Sequence, residues 1–308
     1  MSSWIAAHCY YHQDPSEVVT SVVAPTVRAL GDRAPRWFYV RYWTGGPHVR
    51  FRLRVPDPAH REFARRQVRD RFAELVRTHP SRTRADPAEY RRLVGLIGEP
   101  GEESGGDLLP DNTLTWEEYR PETGMYGGPE AMEHVEEFFT ASSRDALAYA
   151  GTPTDSVARA VWCMAGGLAA VGDADWAHGF VDHMVGRWIG ERIGARWQGI
   201  VDQSWQRSGE RVRQLVRHAL TAKPTGGEGE WLTACRRLQD GLGDVAARGL
   251  LRPPEGSAPH DIEDLDRGMV TLSALHMHNN RLGVHMEREA LVMELLRLAL
   301  AETVSVKP

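Results

Sequence analysis

Residues 37–55, WFYVRYWTGGPHVRFRLRV, alternate with period two on either side of a glycine-rich turn, the signature of a β-hairpin. Side chains two apart share a face of a strand. On the second strand His48, Arg50, Arg52 and Arg54 fall on one face, and Val49, Phe51, Leu53 and Val55 on the other. One face is core; the other is a cationic row. On the first strand Phe38, Val40 and Tyr42 alternate with Trp37, Tyr39, Arg41 and Trp43. The expectation is that Arg41, with Tyr39 and Trp43, lies beside the row. The connection TGGPH supplies two glycines free to take positive φ and a proline that stiffens the exit. A solvated outer face is the plain alternative, but four successive cationic positions flanked by aromatics favour a binding surface.

The neighbouring segments suggest how such a hairpin is housed. Residues 4–12, WIAAHCYYH, read as a strand, and Asp14-Pro15 matches an N-cap followed by the first helical position, opening a helix that Pro25 kinks. Asp57-Pro58 starts a second helix, residues 80–111 are largely loop with a short helical piece near AEYRRLVGLI, and LTWEEYRPE is a further strand. Strand, helix, strand, strand, helix, strand is the order of a ferredoxin-like α+β sheet. Such a sheet carries helices on one face only, so its other face is covered by something else or used. From Pro129 the pattern turns helical, with PEAMEHVEEFFTASSRDALAYA and further helices at 153–171, 174–195, 202–221, 228–248 and 260–302. Residues 1–127 are therefore expected to form the ferredoxin-like α+β region and 128–308 a mainly helical one, with a cleft between them.

Composition narrows the function classes. With 42% hydrophobic and 26% charged residues and no apolar run near the ~20 residues that span a bilayer, the chain is expected to be cytoplasmic and not to engage a membrane. The three cysteines, Cys9, Cys163 and Cys235, lack CxxC spacing, and neither a disulfide framework nor a thiolate zinc site is implied. No nucleotide fingerprint or metal-ligand set is seen, and no cofactor is expected. The sheet's Arg41, Arg50, Arg52, Tyr39 and Trp43 would suit stacking of single-stranded RNA, a non-enzymatic alternative, but a net charge of -5 opposes it.

Three further stretches stand out. YRPETGMYGGPEAM, residues 119–132, places Tyr126 at a glycine-rich turn into a helix. SSRDAL, residues 142–147, reads as a polar start to a helical turn. In SALHMHNNRLG, residues 273–283, helical spacing puts His276 with Asn280 and His278 with Arg281. His276 and His278 then diverge, which disfavours a zinc pair; for His276 a satisfied core histidine is the plain reading.

FYVRYWTGGPHVRFRLR, EEYRPETGMYGGPEAMEHVEEFF and SALHMHNNRLG, in this order and spacing, resemble the C-terminal elimination domain of class I lantibiotic dehydratases and, more closely, its free-standing relatives in thiopeptide biosynthesis. The resemblance implies an enzyme acting on a leader-bearing precursor peptide, in company with other biosynthetic enzymes. Two chemistries occur in such a family. Eliminating members remove glutamate from glutamylated Ser or Thr. Pyridine synthases join two dehydroalanines in a formal aza-[4+2] cycloaddition, then lose water and leader peptide. Eliminating members usually carry arginine where this chain has Met125, while Arg41 and His276 match their other positions. The resemblance thus favours the pyridine synthase. With the motifs read above, it makes Arg41, His48, Tyr126 and His276 the expected catalytic residues, with Tyr39, Trp43, Arg50, Arg52, Asn280 and Arg281 binding substrate. Tryptophans of the helical half offer apolar surface for the leader.

Overall fold

The structure, a computed structural model, describes residues 3–83, 86–88, 90–91, 107–150, 155–188, 195–222, 226–255 and 264–305. It separates into two compact units, Met1–Arg120 with Ala146–Thr152 and Pro121–Asp145 with Pro153–Pro308. The first holds a four-stranded antiparallel sheet of β1 (Trp4–Tyr10), β2 (Arg36–Tyr42), β3 (His48–Arg54) and β4 (Thr113–Glu117), in the order β2-β3-β1-β4. That is the ferredoxin-like order, and the fold class is α+β.

Helices cover one face of this sheet. Asp14 caps α1 (Pro15–Val18) by accepting from Ser16 N. The chain then widens into a π turn at Val19–Val23 before α2 (Ala24–Leu30). Pro25 lacks the N–H that would continue an α-helical ladder, and the wide turn absorbs the break. Asp57 starts a short 3-10 turn ahead of α3 (Arg61–Thr78). Val18, Val22, Val23, Leu30, Ala64, Val68, Phe72 and Leu75 are buried from the helix side, and Ile5, Ala7, Cys9, Trp37, Tyr39, Val49, Phe51 and Leu53 from the sheet side. The helical piece expected near AEYRRLVGLI lies mostly outside the described residues.

The strand register corrects one expectation. Tyr42 pairs with His48, Val40 with Arg50 and Phe38 with Arg52, whereas Tyr39 pairs with Phe51 and Arg41 with Val49. Directly paired residues share a face. Tyr39 and Arg41 therefore lie on the helix side; Phe38, Val40 and Tyr42 stand beside the cationic row. A one-residue slip in pairing is enough to exchange the faces of a strand.

After the sheet the described chain is helical: α4 (Pro129–Tyr149), α5 (Ser156–Ala169), α6 (Ala174–Trp188), α7 (Ala195–Thr221), α8 (Gly226–Ala247), α9 (Leu265–Arg281) and α10 (Met286–Ser305). Helix α5 is buried from Arg159 through Leu168 and touches α6, α7, α8, α9 and α10, as a helix apolar on all sides must. Leu232 and Leu275 press against Gly166 and Gly167, where a Cβ would come within 2.8 and 2.7 Å of them. Trp162 and Trp231 are core residues and Trp176 stacks on Phe180, so these three offer little surface to a peptide. No helix among the described residues is long and apolar enough to cross a membrane.

Two expectations change here. SSRDAL is no helix start but the middle of α4, with Ser142 and Ser143 fully buried. The late helix expected over 260–302 is, from Leu265, two helices. Gly283 at φ 76 ends α9, with Val284 N bonded to Asn279 O and Gly283 N to Asn280 O. This pair of bonds is a Schellman motif, which stops a helix by a left-handed residue.

The two faces of β3 predict opposite sensitivities. Phe51→Ala, removing a fully buried ring, is expected to destabilise by about 3–5 kcal/mol. Arg52→Ala on the adjacent, half-buried position should cost about 1 kcal/mol or less. Urea midpoints at constant m-value check both, and equal losses would contradict the facial assignment.

Candidate functional site

The sheet face opposite helices α1–α3 concentrates rings and guanidinium groups. Tyr10, His48 and Tyr42 stand in one row across β1, β3 and β2, and His8, Arg50 and Val40 in the next. The His48 ring lies 4.3 Å from Tyr10, 5.2 Å from His8 and 5.6 Å from Tyr42, centroid to centroid. Arg50 sits 3.2 Å above the Tyr42 ring, and Arg52 5.7 Å from that of Tyr119. A cation held over an aromatic face is oriented without being neutralised.

Gly46 sets the tautomer of His48. Its carbonyl lies 2.8 Å from His48 Nδ1, which must carry the proton to donate there. His48 Nε2 then accepts from Arg50 Nε at 3.4 Å. Both nitrogens are engaged and the ring is fully buried, so His48 aims Arg50 more readily than it moves a proton. Gly46 itself has φ 103, and a Cβ there would fall 2.5 Å from His12 Nε2. Only glycine satisfies both constraints.

Burial makes these imidazoles neutral. It lowers His48 to about 3, with Arg50 and Arg52 adding to the effect against the Gly46 hydrogen bond. It lowers His8 to about 2, aided by Arg52, His48 and Arg50. The positive charge of this face therefore belongs to arginine at neutral pH. The buried Nε2 of His8 has no hydrogen-bond partner among the described residues.

The helical unit has two polar groupings that share α9. In the first, Ser142 of α4 lies 3.0 Å from His278 Nδ1 and accepts from Arg281 Nη1 at 3.2 Å. Arg281 covers the Phe139 ring at 4.6 Å, Arg159 of α5 pairs with Asp145, and His278 packs on Trp231 at 4.2 Å. Burial holds His278 well below its usual value, with Arg281 and Arg159 acting the same way, and raises Asp145 against the pull of Arg159.

Asp145, Cys163 and His278 bring one donor atom each within 4.8 Å of the others. Their chemistry does not fit a metal ion. Arg159 already holds Asp145, burial pushes the Cys163 thiol well above its usual range, and two guanidinium groups would oppose a dication. The grouping is a buried polar pin between helices.

The second grouping lies at the end of α9. His276 Nδ1 is 2.5 Å from Glu289 Oε2, and Glu289 Oε1 accepts from Asn279 Nδ2 at 2.9 Å. The His276 side chain is 41% exposed, that of Glu289 6%. A buried carboxylate thus holds an imidazole that reaches solvent, the arrangement of a general acid or base.

Of the residues anticipated from sequence, Arg50, Arg52 and His48 come together on the sheet face. Tyr39 is buried in the core, Arg41 donates to Ser16 Oγ at 2.9 Å, and Trp43 lies in the hairpin connection, whose Gly46 N bonds its carbonyl. In the helical unit Tyr126 is buried edge-on against Phe139 at 5.2 Å, Asn280 is half-buried near the helix end, and Arg281 is a buried pin. His278 and Arg281 do share a face, as their spacing requires. Sequence reasoning missed His8, Tyr10 and Tyr42, although their alternation along WIAAHCYYH and FYVRY was visible. It also missed Ser142, Asp145, Asn279 and Glu289, whose partners lie on other helices.

The family model described as "Lantibiotic biosynthesis dehydratase C-term" matches residues 4–300. Similar folds include the pyridine synthase TbtD from thiomuracin biosynthesis, with a TM-score of 0.79 and 21% identity over 99% of each chain. The tRNA-dependent lantibiotic dehydratase MibB from Microbispora sp. 107891 gives 0.62 and 20% identity over 99% of this chain, which spans 28% of that one. TsrL gives 0.64 and 17% identity over 98% of this chain and 95% of that one. Comparison with curated proteins gives no match.

The two neutral imidazoles of the sheet predict a pH dependence. Each stays uncharged when folded but charges in the unfolded chain below about 6.5, so the unfolded state binds more protons. Stability should fall as pH drops from about 6.5 toward 3, by roughly 2 kcal/mol per imidazole at pH 5. Urea unfolding across that range should show a slope in His48→Gln that is shallower by about one proton; an unchanged slope would contradict the buried neutral ring.

Proposed function

Because the chain belongs to the family of lantibiotic biosynthesis dehydratase C-terminal domains, we propose that it is a pyridine synthase acting on a leader-bearing precursor peptide. In this reading two dehydroalanines of one peptide combine. The iminol form of an amide extends one dehydroalanine into a four-atom azadiene, and the second supplies two carbons. The six-membered ring that forms then loses water and the leader peptide, and becomes aromatic. The reaction would take place in the cytoplasm.

Met125 carries the choice. Eliminating members usually hold an arginine there to grip a glutamyl carboxylate, and a thioether has no N–H to offer one. The Met125 side chain is exposed beside the Tyr126 bend. The fold likeness to TbtD over 99% of both chains supports the same reading.

The chemistry asks for groups of the kind present. Conversion of amide to iminol moves a proton from nitrogen to oxygen, and positive charge near the carbonyl favours it. Arg50, oriented by His48 and Tyr42, and Arg52 suit that task. Arginine does not titrate, so proton transfer falls to His276; Arg41, bonded to Ser16 on the helix side of the sheet, and Tyr126, buried against Phe139, are left outside the proposed set.

Retention of Arg41 and His276 favours a second reading, elimination of glutamate from glutamylated Ser or Thr. Purified protein is therefore offered two peptides, one with dehydroalanines installed and one glutamylated. The expected result is a pyridine and free leader from the first. Free glutamate and a dehydroalanine from the second alone would overturn the cyclase reading. In the productive assay His276→Ala should lower the rate by about 10² to 10⁴.

A further inference from the structure

We propose that Glu289 is a positioning residue: it locks His276 in the tautomer with the proton on Nδ1, leaving Nε2 as the atom that exchanges protons with the peptide. The last step rests on the function proposed above; the tautomer does not.

A carboxylate can only accept. With Oε2 at 2.5 Å from His276 Nδ1, the proton of that bond belongs to the ring. The alternative, a protonated Glu289 donating to a bare Nδ1, meets two objections. Glu289 lies in the first turn of α10, where the helix dipole favours negative charge. Its other oxygen already accepts from the amide of Asn279. Each oxygen thus has a donor, and the ionised form is the one matched by its surroundings.

The burial is asymmetric in the direction that function requires. An ion pair placed for stability alone would gain little at the surface, and burying its carboxylate carries a desolvation penalty that apolar packing avoids. Here the carboxylate is buried and the imidazole reaches outward. The scaffold beneath the carboxylate is firm: Asn279 is fully buried against Met164 Sδ at 3.2 Å, and Glu289 N bonds His285 O. His278, on the opposite side of α9, is held instead by Ser142, 3.0 Å from its Nδ1. Loss of Glu289 therefore acts on His276 without unpinning the core.

Histidine ¹⁵N spectra of the intact protein at mildly alkaline pH test the assignment, with the His276 signals identified by their loss in His276→Gln. The wild type should show a pyrrole-like Nδ1 and a pyridine-like Nε2. In Glu289→Gln the ring should move toward a tautomer mixture. Turnover of the dehydroalanine peptide should then fall by about 10²-fold in kcat with KM little changed, because a misaimed group affects the chemical step more than binding. An Nε2–H tautomer in the wild type overturns the proposal, and this measurement does not depend on whether Glu289→Gln folds. So does a Glu289→Gln protein whose tautomer or kcat is unchanged. If the tautomer depends on Glu289 but neither peptide reacts, the positioning stands and the proposed function fails.

Discussion

A strand has two faces, and β3 must use both. It is paired on each side, with β1 and with β2, so its inward residues Val49, Phe51 and Leu53 form the middle of the apolar layer while His48, Arg50 and Arg52 cannot leave the other face. The rigidity of the core is thereby transmitted to the guanidinium groups at intervals of two residues. Their aromatic supports come from the flanking strands at matching height: Tyr10 and Tyr42 pair directly with His48. The site is precise because it is the back of the core.

The same geometry explains why the helix-covered face was legible from sequence and the neighbours of the cationic row were not. Alternation along β3 assigns its own faces without reference to any partner. Which residues of β2 join them depends on whether the connection has an odd or even number of residues, and five, Trp43–Pro47, separate Tyr42 from His48. An even number would have placed Arg41 beside Arg50. The order of strands and helices was readable because caps and prolines mark local chemistry; Asp14-Pro15 and Asp57-Pro58 do so in four residues.

The helical unit was less legible for the converse reason. Its periodicity locates helices but not their contacts, so Ser142 and Asp145 looked like a polar beginning when they are the inner face of a long helix. Two buried arginines, Arg159 and Arg281, are stabilised there by one carboxylate, a hydroxyl and an aromatic ring. Buried charge of this kind adds little to stability but penalises every packing that leaves it unpaired. It selects one arrangement of α4, α5 and α9.

The short link between α9 and α10 acts as an angular setting. Leu282–His285 joins Arg281 to Met286, and each residue added to the start of a helix turns the side chains that follow by about 100°. One extra residue in that link would swing Glu289 away from His276 while leaving both helices intact, and a second would carry it further round. The length of a four-residue turn, rather than the identity of any side chain within it except Gly283, therefore decides whether a carboxylate 13 positions downstream and a histidine form a pair at all. Grafting this pair onto another helical hairpin would require transplanting the turn before either functional residue.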